Sequence, residues 1–104
     1  MAVTFRDVSN IERGSIGDDG RLEDFRAVAA GVPTTFWETL IKRVAVEGEV
    51  FEATAEALLY PGIGVERRDI IICRDRRWEV LQVFPGRNLS AVYRFDHVVL
   101  REAV

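Results

Sequence analysis

The side chains with the most chemistry in them are one histidine, one cysteine and thirteen arginines among fourteen basic residues. His97 stands in Phe95-Asp96-His97-Val98. A histidine base needs an orienting carboxylate, and Asp96 is adjacent. On a strand, however, neighbouring side chains project to opposite faces, so the two cannot form an orienting pair. His97 is therefore expected to be a strand or interface residue. Cys73 ends the apolar run Ile70-Ile71-Ile72-Cys73 and is expected to be a buried small hydrophobe. A lone cysteine forms no intramolecular disulfide, and one His with one Cys makes no zinc site. Asp18-Asp19-Gly20 with Glu23 and Asp24 has the composition of a calcium loop but not its alternating ligands, so a solvated acidic turn is expected. Gly14, Gly17 and Gly20 precede no Lys-Ser/Thr pair, which excludes a phosphate-binding loop. Glu52 and Glu56, four apart, read as a solvated strand face. Arg67-Arg68 and Arg74, Arg76 and Arg77 lie near Trp78, but Glu66, Asp69 and Asp75 interrupt the charge. No catalytic group, metal or cofactor is expected.

Composition narrows the classes further. A chain of 104 residues makes one domain and can bury roughly 65% of its unfolded surface without a disulfide or metal staple. Apolar residues are 48% and charged residues 30%, which is globular rather than disordered. The net charge of −3 argues against sequence-independent binding to nucleic acid, which needs a basic surface. Lys42 is the only lysine. Arginine's planar fork suits carboxylates at interfaces, although a GC-rich genome produces the same bias. Met1 to Asn10 has no signal-peptide core, and no apolar run reaches the ~20 residues of a membrane helix. The expected setting is a reducing cytosol, with no membrane partner.

Periodicity supplies the elements. From Glu49 to Tyr60, Phe51, Ala53, Ala55, Ala57 and Leu59 share one parity, which is a half-buried strand. Thr34 to Ile41 is aromatic and β-branched and so strand-like. It could instead open a short helix capped by Thr34 or Thr35 with Glu38 in the first turn; Val44 to Glu49 would then connect it to the next strand. Asp69 to Cys73 reads as a short buried strand. Arg74-Asp75-Arg76-Arg77 reads as a four-residue charged turn, and Arg77 to Phe84 as a strand with Trp78, Val80 and Gln82 on one parity. Ala91 to Glu102 closes the chain, while Val3-Thr4-Phe5 and Phe25 to Val28 are weaker strands. Breaks are expected at a mobile loop from Arg13 to Gly20, at Pro61 to Gly64 and at Pro85 to Asn88. The fold class is mostly β: a small barrel or sandwich of five to seven short strands with long mobile loops and room for one short helix.

The second half also has a recognisable order. A strand ending Leu58-Leu59-Tyr60-Pro61 leads through a loop to Arg68-Asp69-Ile70-Ile71-Ile72. A charged turn then leads to Arg77-Trp78-Glu79-Val80-Leu81-Gln82-Val83, and Asn88-Leu89-Ser90 precedes a final His97-Val98-Val99-Leu100. This resembles the stopper and head–tail joining proteins of long-tailed phages, over roughly Thr34 to Leu100. Two positions depart from the family pattern: Arg68 stands where a glycine commonly precedes the Asp, and Asp75-Arg76 replaces the glycine of the hairpin turn. The resemblance implies a barrel-like subunit of a homo-oligomeric ring in the virion neck, between the portal or adaptor and the tail, enclosing DNA without reading its sequence. Its subunit or neck interface would draw on Arg67, Arg68, Asp18, Asp19, Arg87 and His97, with arginines of one copy meeting acids of the next. A channel-facing loop would comprise Arg43, Glu47, Gly48 and Glu49. The alternative is a small-barrel binding module for a peptide or single-stranded nucleic acid, displaying Trp37, Trp78, Tyr93 and Phe95.

Overall fold

The computed structural model of the chain describes residues 5–88 and 94–103. Six strands form the fold: β1 (Asp7–Ile16), β2 (Leu22–Val46), β3 (Glu49–Leu59), β4 (Ile70–Cys73), β5 (Arg76–Asn88) and β6 (Arg94–Glu102). All pairs are antiparallel, and the order β1-β2-β3-β6-β5-β4 returns to β1, so the sheet closes on itself. The seam that closes it is short: Asn10, Ile11 and Glu12 of β1 pair with Ile72, Ile71 and Ile70 of β4. No helix occurs among the described residues, and none is therefore long and apolar enough to cross a membrane.

The β architecture agrees with the sequence pattern, but the strands are not uniformly short. The segment Leu22–Val46 is one strand of 25 residues, absorbing both Phe25 to Val28 and the Thr34 to Ile41 stretch for which a helix was the competing expectation. β-branched and aromatic residues there pack better on a pleated surface than around a helix. The first half of β2 pairs with β1 and the second half with β3; Thr34 lies opposite Asp7 on one side and Leu59 on the other. Thr34 is wholly buried, its Oγ1 2.8 Å from Ser9 Oγ and from the Val32 carbonyl.

Several expected breaks are smaller than the punctuation suggested. Gly14 lies within β1, and the expected loop shrinks to the turn at residues 17–21, where the Gly17 N–H donates to the Arg21 carbonyl and the Gly20 N–H to the Gly17 carbonyl. Arg74-Asp75 alone turns the β4–β5 hairpin; both residues have positive φ (55° and 60°), the geometry that matches the strand twist. Arg76 and Arg77 are strand residues. Pro85-Gly86 is not a break but a bulge in β5, with Phe84 opposite His97 and Arg87 opposite Phe95. Proline is tolerated at a bulge because the ladder does not need its missing N–H. Residues 60–69 form the one long connection among the described residues. Val3, Thr4, Ala91 and Tyr93 lie outside the described residues.

A second bulge resets the inside of the barrel. Between Val80 and Gln82 the β5 register slips against β6. Trp78 and Val80 therefore face the main core, but beyond the slip Val83, not Gln82, packs against it, while Leu81 joins Ala53 and Val99 in a second cluster. In β3 the inward parity carries Ala53, Ala55, Ala57 and Leu59, all buried. Its small side chains leave room for Phe36 and Trp78, whose ring centroids lie 4.9 Å apart in a tilted pair. Cys73 is buried, as expected of a small hydrophobe.

The connection at residues 60–69 is tied down by two buried carboxylates. Asp69 is 1% exposed. Its oxygens accept from Arg13 Nε and Nη2 at 2.8 and 2.9 Å and from the Glu66 N–H at 2.9 Å. Arg13 also donates to the Gly64 carbonyl at 3.0 Å. Asp96 accepts from the Gly62 and Gly86 N–H groups at 3.2 and 2.9 Å, joining this connection to the β5 bulge. Replacing Asp69 with Ala would remove the two-oxygen acceptor of the Arg13 fork, leaving it the Gly64 carbonyl and the Glu66 carboxylate at 3.1 Å, and would leave the Glu66 amide unpaired beside the seam. We expect Asp69→Ala to lower stability by about 3 kcal/mol in urea denaturation, and Asp96→Ala, which orphans only amides, to cost less.

Candidate functional site

The residues singled out from the sequence do not form one cluster. Arg67 and Arg68 sit at the end of the 60–69 connection, just before β4. Arg67 Nη1 lies 2.7 Å from Glu47 Oε2 in the β2–β3 turn. Arg68 adopts a positive φ of 75° and donates from Nη2 to the Gly20 carbonyl at 3.4 Å, in the β1–β2 turn. Adjacent residues thus reach the tips of two different hairpins. Asp18 and Asp19 are exposed in the first of those tips, where Asp19 accepts from the Arg21 N–H at 3.0 Å.

The expected channel loop is a correction. Arg43 belongs to β2 and Glu49 to β3, with Arg43 opposite Glu52 and Val46 opposite Glu49. Only Glu47-Gly48 turns, with φ of 50° and 81°, so this is a two-residue hairpin rather than a loop. Arg87 lies on β5 opposite Phe95; its side chain lies outside the described part.

Beneath Arg67 and Arg68 the sheet splits. β3 pairs with β6 only from Ala55 to Leu59, so Glu49 to Thr54 diverge from Arg101 and Glu102. Grooves of about 540 and 420 Å³ lie along the split, and a third of about 680 Å³ adjoins them against the β1–β2 turn; Arg101 lines all three. Their walls are arginines resting on aromatic rings. Arg67 and Arg101 stand 5.5 and 5.1 Å from the Phe51 centroid, and Arg77 stands 5.3 Å from that of Phe25. Arginine stacks well on ring faces and keeps in-plane donors for carboxylates. Most of these cations are already matched. Arg101 meets Glu79 at 2.7 Å, Arg77 meets Glu12 at 3.0 Å, and Arg76 grips Glu102 with two bonds of 2.7 Å while reaching Glu38 at 2.9 Å. Hydrogen bonding from Arg76 holds the exposed Glu102 carboxyl below its ordinary range. Arg68 has no carboxylate within ion-pair distance among the described residues, which makes it the cation of the cleft with capacity for an incoming acid.

Sequence reasoning singled out Arg67 and Arg68 but missed Arg101, Glu79, Phe51 and Phe25. Arg101 faces Glu79 only through the β5–β6 register, which depends on the bulge at Leu81. A Gln82 parity count alone puts the pairing out of step.

His97 belongs to a separate cluster. Its Nε2 lies 2.9 Å from Glu56 Oε1, Lys42 Nζ lies 3.2 Å from Glu56 Oε2, and the imidazole stacks on Trp37 with ring centroids 6.3 Å apart. Asp96 points inward and His97 outward, as the strand argument requires. Glu56 is not the solvated carboxylate expected: it is largely covered and paired twice, while Glu52 is exposed. Among the aromatics suggested for a binding face, Trp78 and Phe95 are buried, Trp37 is half-buried and Tyr93 lies outside the described residues. No three His, Cys, Asp or Glu side chains among the described residues converge as metal ligands would. Comparison with known proteins adds no relative. No family model matches the chain, nor does any curated protein or solved structure.

Burial alone would raise the Glu56 pKa, but hydrogen bonds from Lys42 and His97 outweigh it and hold the carboxyl below its ordinary 4.5. A depressed folded pKa contributes stability that is present above the unfolded value and is lost as pH falls through the folded one. We therefore expect wild type to exceed Glu56→Gln in urea midpoint at about pH 7 and the gap to shrink below about pH 4. A gap that stays constant on acidification would show that the Glu56 charge is not the source.

Proposed function

We propose that this chain is a structural subunit of a tailed-phage neck, a stopper-type or head–tail joining ring component. In this proposal it is not an enzyme, uses no cofactor and acts by contacting copies of itself and the portal, adaptor and tail proteins around enclosed DNA. The observation that carries the proposal is backbone geometry at the two positions where the family pattern has glycine. Arg68 and Asp75 both adopt left-handed backbone, with φ of 75° and 60°. Glycine enters that region freely, whereas a side chain there costs roughly 1 kcal/mol. The departures from the pattern therefore change side chains without changing the conformation those glycines would serve. The closed antiparallel sheet is compatible with the same reading.

Arg68 retains an arginine at that cost while its guanidinium has no acid partner among the described residues. Strained positions that persist tend to be functional, and the cleft beside it has spare cationic capacity. A neighbouring subunit's acidic turn, such as Asp18-Asp19, is the chemistry that would complete it. The cleft also gives the binding-module alternative its one specific support, since Phe51 and Phe25 stand under arginines in an open groove; Trp78 and Phe95, buried, no longer serve it.

The proposal separates stability from assembly at one residue. Arg68→Gly should raise stability by about 1 kcal/mol, by relieving the left-handed backbone, yet reduce incorporation into neck assemblies. Arg67→Glu with Arg68→Glu should abolish incorporation. The measurement is a complementation assay. The chromosomal neighbourhood of the gene is checked for portal, capsid and tail genes, the gene is deleted, and variants are scored for DNA retention in filled heads. Normal retention by the double charge reversal would overturn the assignment of the interface. A gene with no virion neighbours would overturn the neck reading itself.

A further inference from the structure

The β2–β3 hairpin carries a register of its own. From Thr34–Leu59 to Glu38–Ala55 every pair follows one alignment. There β2 bulges, taking four steps from Glu38 to Lys42 while β3 takes two from Ala55 to Ala53. The pairs from Lys42–Ala53 to Val46–Glu49 are therefore displaced by two residues. The slip leaves two defects. Leu40 and Ile41 are stranded in the bulge, 90% and 65% exposed. The Thr39 and Thr54 hydroxyls are buried on either side of it, with no hydrogen-bond partner among the described residues.

Continuing the first alignment through the bulge removes both defects. It sets Thr39 opposite Thr54, Leu40 opposite Ala53, Ile41 opposite Glu52, Lys42 opposite Phe51, Arg43 opposite Val50 and Val44 opposite Glu49. Facing threonines hydrogen-bond across a strand pair. Leu40 meets Ala53, which is buried against Leu81 and Val99. A slide of one residue would turn every side chain over, but a slide of two keeps each on its face. The observed register is held from the other end. It has the two-residue Glu47-Gly48 turn, the Glu47–Arg67 pair at 2.7 Å, the Lys42–Glu56 pair at 3.2 Å, and Val44 opposite Phe51 on the second cluster. Neither register satisfies every group.

We propose that the hairpin exchanges between these two registers and that the exchange gates the cleft. In the continuous register residues 45–48 form a four-residue loop. Glu47 is withdrawn from Arg67, and Arg67 joins Arg68 as a cation without an acid. A carboxylate entering the cleft competes with Glu47 and so favours the continuous register. The exchange is a property of the isolated chain; only the source of the incoming acid rests on the neck reading.

The test is disulfide trapping in the full chain. Arg43, Val50 and Glu52 are exposed and share a face of the hairpin. Arg43→Cys with Glu52→Cys places the thiols directly opposite in the observed register, and Arg43→Cys with Val50→Cys does so in the continuous one. In the other register each pair is diagonal, about 7–8 Å apart and beyond disulfide reach. Cys73 is buried and does not compete. Both pairs should close under mild oxidation, the second more slowly. Leu40→Asp is a surface change in the observed register but buries a carboxylate in the continuous one. It should slow the second closure at least tenfold and leave the first unchanged. If the Arg43/Val50 pair stays open, or closes indifferently to Leu40→Asp, the second register is overturned. Backbone ¹⁵N relaxation dispersion on the unmodified chain reads the same exchange without cysteines: broadening at residues 39–54 that Leu40→Asp suppresses is expected, and its absence overturns the proposal. Glu47→Gln should speed the second closure about threefold by releasing the turn from Arg67; an unchanged rate overturns the gating of the cleft.

Discussion

The closure of the sheet depends on a seam of three residue pairs between β1 and β4. Six strands make an open sheet with two exposed edges unless the first and last in spatial order meet, and exposed edges recruit other chains. Here the meeting is secured from both sides. Ile11 and Ile71 are wholly buried at the centre of the seam, and Arg13 grips Asp69 immediately beyond it. Asp69 also opens β4, and its carbonyl accepts from the Val80 N–H. One residue thus ties β1 and the 60–69 connection through its side chain and β5 through its backbone. A charge buried this far is favourable only while paired, so the seam and the ion pair stand or fall together.

The price of closure at so short a seam is that the long strands cannot stay paired along their whole lengths. β2 divides its partners at Thr34, and β3 leaves β6 beyond Ala55. The diverging ends form the cleft under Arg67 and Arg68 and the open edge at Glu38 to Arg43. Both regions follow from one geometric fact: strands that leave the ring carry unpaired backbone and incompletely covered side chains. The arginines are placed to manage this. They lie on Phe51, Phe25, Phe36 and Trp78, covering rings that the sheet does not cover while keeping donors free for acids.

Much of the strand content was legible because alternation survives without knowledge of partners. Ala53 to Leu59 announce an inward face, Ile70 to Cys73 a buried strand, and Asp96 and His97 opposite faces. What was misjudged involved glycine, proline and charge. Pro85-Gly86 and Gly14 look like breaks but lie inside strands, because a bulge or a strand end accommodates them as well as a loop does. Arg76 and Arg77 look like turn residues but sit in β5, because a two-residue turn is made by left-handed Arg74 and Asp75, neither of which announces that conformation. Arg43 to Glu49 looks like a loop because it ends in the polar, glycine-containing Glu47-Gly48-Glu49, yet only Glu47-Gly48 turns.

The sequence by itself determined that the chain is β, that Cys73 and the β3 alanines face inward, and that His97 has no adjacent orienting acid. These are local consequences of side-chain period and hydrophobicity, which depend on one strand at a time. Only the tertiary structure decided that Arg67 reaches Glu47, that Arg101 faces Glu79, that Glu56 is shared by Lys42 and His97, and that Leu40 and Ile41 stand in solvent. Those facts depend on register, and register depends on bulges at Leu81 and Thr39 to Ile41. A bulge shifts every later pairing on its strand yet leaves the alternation of residue types on either side intact, so nothing within a single strand records where it falls.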